Sequence, residues 1–315
     1  MSWSHTIAAF DLLDDPHASG QRVREHFLDH GAADTEIHVE TVEGHRGSTD
    51  FVHLSIPGRS GASTGGDAPT LGILGRLGGL GARPEQIGFV SDGEGALTAV
   101  ATGAKLLDMR RKGDLLEGDV IIGTHIDPDA PTQPHDPVPF MGSVLNQDIS
   151  NAHEVHESMD AILSIDTTRG NRICNHNGIA ITPTVADGWI LRISESLLDI
   201  VSRTTGEFPT VLPLTTQDIT PYSNGVFHVN SILQPSTATS APVVGVAIVS
   251  ETPVAGSATG ATGLRSTEQA VRFTIETAKD YGRGVAAFLD AEEFTTLKSL
   301  YGSLSHLRTP GTGSS

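Results

Sequence analysis

The sequence predicts an α/β protein: a mixed, mostly parallel sheet with helices on both faces, built as a three-layer sandwich. Three observations carry this. Apolar runs such as Asp119–Thr124, Ala161–Ile165 and Ala241–Val249 lack a period of two, as strands buried on both faces do. Amphipathic stretches with their own start and stop signals alternate with those runs. The chain holds 35 glycines while aromatic residues make up only 5%, a composition suited to close packing of helices on a sheet.

Taken in order, Thr6–Leu13 is a short helix stopped by Asp14, Asp15 and Pro16. Ser19 caps a second helix, Gln21–His30, whose Val23 and Phe27 share a face and whose exit is Gly31. Glu36–Val42 and Phe51–Pro57 alternate, with Val52, Leu54 and Ile56 on one side, and read as a hairpin joined by Glu43–Asp50. Gly58–Gly66 is a glycine-serine loop, a mobile segment or a lid over the sheet edge. The centre is Gly65–Pro131, read as strand, glycine-rich turn, strand, helix, strand. Gln86–Ser91 is its second strand. Glu94–Arg111 is its helix, with Leu97, Val100, Ala101, Ala104 and Leu107 at helical spacing, and Asp119–Thr124 is its last strand. Beyond it, the proline-rich stretch 130–143 excludes regular structure, and an ordered loop of that length lines a site or an interface. Ile179–Pro183 with Gly188–Ile193 form a strand pair, Ser194–Thr205 a serine-capped helix, and Pro209–Thr215 a strand. Ser266 with Gln269 opens a helix running to Tyr281 as a capping box, and Ala291–Tyr301 packs Phe294, Leu297 and Leu300. The expectation is one domain over 1–308, with residues 36–57 as a small hairpin excursion and 309–315 as a disordered tail.

The formal charge of −18 argues against nucleic acid and anionic membrane as partners and leaves a small molecule or peptide as substrate. A single cysteine, Cys174, excludes an intrachain disulfide framework, and no apolar stretch reaches the length of a membrane span. The chain reads as cytoplasmic and as a candidate homo-oligomer.

Acids recur where predicted strands end: Asp92, Asp127, Asp166, Asp218 and Glu251, with His125 among them. Parallel strands would gather them along the carboxyl edge, where open α/β sheets build their sites. Crowded carboxylates repel one another unless a proton or a cation separates them, so a divalent metal, zinc or manganese, as one ion or two, is the expected cofactor. Asp92, His125, Asp127 and Asp166 are the candidate ligands. Glu94, Asp218 and Glu251 are candidate bases for the hydrolysis of an amide, and Arg76 and Arg169 candidate holders of substrate. Each acid has an ordinary alternative as a helix cap or turn former. His153-Glu154-Val155-His156 reads as an exposed polar loop. The glycines from Gly72 to Gly81 lack the G-x-G-x-x-G spacing of a dinucleotide fold and read as a tight turn.

The segments GGDAPTLGILGRLGGLGARPEQIGFVSD, GDVIIGTHIDPDAPTQPHDPVPFMGS and AILSIDTTRGNRICNHNG, with TTQDITPY and NSILQPSTATSAPVVGV, resemble a bacterial and archaeal family catalogued only as a domain of unknown function. A more distant likeness is to the glutamyl-aminopeptidase-like (cellulase M type) metallopeptidases. It implies a phosphorylase/peptidase-like sandwich holding two metals at its carboxyl edge. Asp92 matches that family's bridging aspartate, and Asp166 a further metal aspartate. Ile126-Asp127 stands where the family has Glu-Glu, Arg76 stands at its first histidine ligand, and the last histidine falls near Gly256. The large inserted dimerisation domain is reduced to the hairpin Glu36–Pro57. The resemblance therefore implies either a rebuilt site, with His125 as a ligand, or a relict site that binds an amino-acid-like molecule or a partner subunit without catalysis.

Overall fold

The structure is a computed structural model that describes residues 2–44, 47–76, 88–90, 92–134, 140–253 and 262–311. Two helices come first, α1 (Trp3–Asp14) and α2 (Gly20–Asp29). Ser19 Oγ accepts from Arg22 N–H at 3.3 Å, and Gly31 leaves α2 at φ +95°, so both punctuation signals act as read. β1 (Ile37–Gly44) and β2 (Gly47–Ile56) pair antiparallel, with Gly44 opposite Gly47. The strands thus run several residues further toward the turn than the expected connection allowed.

β3 (Leu71–Gly75), α3 (Glu94–Arg111) and β4 (Val120–Ile126) form the central β-α-β unit, and β3 pairs parallel with β4. The first strand of this unit is therefore Leu71–Gly75. The expected strand Gln86–Ser91 is not one: Gly88–Val90 is irregular, and its other residues lie outside those described. β5 (Thr132–Gln133) and β6 (Phe140–Met141) are a two-residue pair, and α4 (Gln147–Glu154) follows. β7 (Ala161–Thr168), β8 (Gly178–Ile181), β9 (Val185–Ala186) and β10 (Trp189–Ile190) come next. α5 (Glu195–Thr205) and β11 (Thr210–Val211) lead to β12 (Val243–Val249), α6 (Leu264–Gly282) and α7 (Ala291–Tyr301).

The sheet order is β1-β2-β4-β3-β7-β12-β8-β11, with β9 and β10 attached to β12. Its middle, β4-β3-β7-β12, is parallel throughout, while β2 and β8 flank it antiparallel. This is the mixed, mostly parallel sheet the sequence predicts. Leu71, Ile73, Ile122, Leu163 and Val246 face a core shared with α2, α3, α5 and α6. Leu74, Ile121, Ile162 and Ala247 face the opposite side, packed with Ile219, Ile232 and Leu233 from irregular segments, and α4 lies over that side too. Both faces are covered, which is why these strands carry no polar alternation.

Several expectations change. The strand pair runs through β9 and β10, not Ile179–Pro183 with Gly188–Ile193, and Pro209–Thr215 holds only the two residues of β11. The cap of α6 is Gly263, so Ser266 sits inside its first turn. α7 has no buried residue, and Leu300 is 67% exposed. The loop after Pro57 is tied down, since Asp119 accepts from Gly58 N–H and from Ser63 N–H and Oγ–H. Those bonds sit at the start of β4, the end of the sheet away from the acids, so this loop is no lid over them.

Candidate functional site

The site is set by two glycines. At Gly95 a Cβ would stand 2.3 Å from the Arg76 carbonyl oxygen and 2.6 Å from that of Ile165; at Gly75 it would stand 2.4 Å from the Gly95 oxygen. Only backbone fits there, so the first turn of α3 lies directly on the ends of β3 and β7. That contact brings Asp92 and Glu94, just before and at the start of α3, over Asp166 on β7.

The three carboxyls are buried, and Asp92 acts on each of the other two. Burial first, then the charge of Asp92, pushes Asp166 up to about 7. Burial also raises Glu94 to about 8, with Asp92 adding to the rise, while the Thr167 hydroxyl donates to Glu94 Oε2 at 2.5 Å and opposes it. Asp92 is raised by burial and drawn back by Arg169, whose Nη2 lies 3.2 Å from Asp92 Oδ1. Asp166 Oδ1 accepts from Thr167 N–H and its Oδ2 from the Ser231 hydroxyl, each at 2.8 Å. Tyr222 stands close enough to Asp166 for that charge, after burial, to raise its hydroxyl pKa.

Arg76 leaves β3 on the same sheet face as His125 and Asp166 and is fully buried. Its Nη1 pairs with Glu154 Oε2, and Glu154 Oε1 accepts from His125 Nδ1 at 2.6 Å. Burial and then the Arg76 charge depress His125 to about 3, so its imidazole is neutral. Burial lowers Arg76 to about 10, against the charge of Asp166. Arg76 Nε and Nη2 and Arg169 Nε are buried without a hydrogen-bond partner. Glu154 is the residue that sequence reasoning missed. It was read into an exposed loop, yet it ends α4 and is completely buried.

The remaining candidates separate from this cluster. Asp127 is pushed to about 7 by burial, and the neighbouring charge acting on it is Asp129, not Asp92 or Asp166. Asp218 is an internal tie: Oδ2 accepts from Thr215 N–H and Oγ–H, and Oδ1 from Val229 and Asn230 N–H. Glu251 is exposed. Most of the glycine run and Gly256 lie outside the described residues. Among the described residues, the one group of three side chains whose ligand atoms all come within 4.8 Å is His5, His30 and Asp108, away from the strand ends.

A metal between Asp92 and Asp166 would take carboxylate oxygens from both. Asp92 acts electrostatically on Asp166 there, and His125 gives Nδ1 to Glu154, the outer-shell arrangement of a ligating histidine that keeps Nε2 as the donor. Carboxylate oxygens of this kind suit oxygen-preferring divalent cations such as manganese.

Comparison with known proteins places the chain in a family: residues 40–311 match the protein family of unknown function DUF1177, and the chain belongs to it. No curated protein matches the chain. The crystal structure of the Legionella pneumophila LapA aminopeptidase is similar at a TM-score of 0.47 and 9% identity, covering 92% of this chain and 70% of that one. Among the described residues, no helix is long and apolar enough to cross a membrane.

Proposed function

We propose that the protein hydrolyses a peptide, amide or small cyclic amide at the Asp92–Glu94–Asp166 edge, with one divalent cation held by Asp92 and Asp166. The observation that carries this is that Asp92 acts on both Glu94 and Asp166, all three buried, where α3 meets the strand ends. When bound, the cation supplies positive charge to the scissile carbonyl. The protein's own residues do the rest. In its ionised form Glu94, oriented by Thr167, takes a proton from the attacking water and returns it to the leaving nitrogen. Arg169 fixes Asp92 through one oxygen. The unmet N–H groups of Arg76 and Arg169 suit a substrate carboxylate.

A second reading rests on the same arginines. Arg169 beside Asp92 and Arg76 near Asp166 neutralise those acids without any cation, as a binding site for a small amino-acid-like ligand would. Metal analysis of untagged protein purified without chelator separates the two. The hydrolase predicts a manganese- or zinc-type ion that Asp92→Asn and Asp166→Asn both lose. It also predicts that Glu94→Gln keeps the ion but lowers kcat on a dipeptide or cyclic amide by about 100-fold or more. Protein whose metal content is the same in Asp92→Asn, Asp166→Asn and the parent would sink the hydrolase and leave the ligand-binding reading.

A further inference from the structure

His5, His26, His30 and Asp108 converge where α1 and α2 pack on α3, remote from the strand-end acids. His5 Nε2 lies 2.9 Å from Asp108 Oδ2, and the His5 and His30 ring centroids are 5.8 Å apart. One ligand atom each from His5, His30 and Asp108 fit within 4.8 Å of one another. His26 and His30 are four residues apart, hence one above the other on the helix, with rings 4.4 Å apart.

The surroundings orient these groups as the outer shell of a metal site does. His30 Nδ1 donates to the His26 carbonyl oxygen at 2.8 Å, which fixes the tautomer and leaves the lone pair on Nε2. Arg111 Nη2 donates to Asp108 Oδ1 at 2.7 Å, so the carboxylate turns its other oxygen to His5. His26 Nε2 is buried with no hydrogen-bond partner. A polar nitrogen sealed beside His5 and His30 marks an unmet polar requirement next to the three ligand atoms. Lys105 and Arg111 are the opposing charges nearby, and Asp29 the supporting one.

We propose that His5, His30 and Asp108 bind one divalent transition metal of the zinc type, with a water as the fourth ligand, and that this ion pins α1 and the end of α2 to α3. Imidazole with a single carboxylate suits zinc, and ligands from α1, the C-cap of α2 and α3 would tie these three elements together. It differs in donors and in preferred ion from the oxygen site at the strand ends. Its two histidines lie outside the family match, which starts at residue 40.

The test uses the full chain, stripped with chelator and dialysed, in the Asp92→Asn/Asp166→Asn background, so that the strand-end site cannot contribute. Titration with zinc chloride by calorimetry should give one ion per chain. Cobalt in its place should show the visible absorption of a four-coordinate ion. His5→Gln and His30→Gln should each weaken zinc binding at least tenfold and abolish the rise in Tm that zinc causes, with circular dichroism confirming the fold. His30, half-buried at a helix end, is the variant least able to disturb folding. Absence of zinc binding in the double-Asn background would overturn this site even if the unmodified protein binds metal. Equal zinc affinity in the double-Asn background with and without His5→Gln or His30→Gln would overturn it too.

Discussion

Glu154 accepts from Arg76 through one oxygen and from His125 through the other, and water reaches none of the three. Taking two charges out of water costs several kcal/mol each, and close pairing offsets that cost only while both partners remain. Glu154→Gln should therefore strand the Arg76 guanidinium and lower stability by about 3–5 kcal/mol. Arg76→Met should cost a similar amount by stranding the carboxylate. The double variant should lose clearly less than the two single losses added, because neither charge is then left alone. Urea denaturation of all four proteins measures this. Losses that simply add would mean that the two side chains do not act as a pair.

At the scale of elements, the close approach of α3 to β3 and β7 decides where Asp92 and Glu94 sit. Gly95→Ala places a methyl against two carbonyl oxygens that cannot rotate away, so α3 must lift. The expected cost is about 1–3 kcal/mol, with Ala101→Gly, a cavity at a buried position of the same helix, as a control that leaves the acids in place. In a chelator-free metal analysis the Gly95→Ala protein should lose strand-end manganese while the control keeps it; retention in both would show that the glycine contact does not position the site. The legibility of the sequence follows the same division between local and distant. α2 and α5 could be read because their caps and exits are local: Ser19 with Gly31, Ser194 with Gly206. A strand before the glycine-rich turn is legible, as β3 shows, but Gln86–Ser91 reads as a second one because a short apolar run carries no period to tell a strand from a packed irregular segment. Glu154 was unreadable, since a buried acid and a surface acid are the same letter and its partner Arg76 is 78 residues away. Asp218 was misjudged although its signal was present: Thr215 three residues before it is half of a capping box, and both bonds of that box form. The position of Asp92 and Asp166 along the sheet is legible for an approximate reason. They do share the carboxyl edge, but Asp92 reaches it from the start of α3 and not from the end of a strand.

Across the whole molecule, buried acids and buried histidines set opposite limits on stability. Glu94 at about 8 and Asp166 and Asp127 at about 7 lie above their ordinary carboxyl values, so the folded protein binds more protons than the unfolded chain between those values. Stability contributed by these groups falls as pH rises through that window. His26 and His53 at about 4 and His125 at about 3 are shifted the other way, chiefly by burial. For them the unfolded chain binds more protons below about 6.5, so stability falls as pH drops toward 4. Above 6.5 the histidines are neutral in both states, and only the acids still act. A net charge of −18 adds self-repulsion that grows in the same direction. Chelator-treated protein should therefore be most stable near pH 6, with Tm declining from pH 6.5 to 8.5. Glu94→Gln should remove part of that decline, because an amide in the same place needs no proton. Added salt should raise Tm more at pH 8 than at pH 6, since it screens the surface repulsion but leaves the buried groups untouched. A Tm that climbs from pH 6.5 to 8.5 in the parent would mean that Glu94 and Asp166 are ionised without penalty in the fold, and hence that water or a retained cation already reaches them.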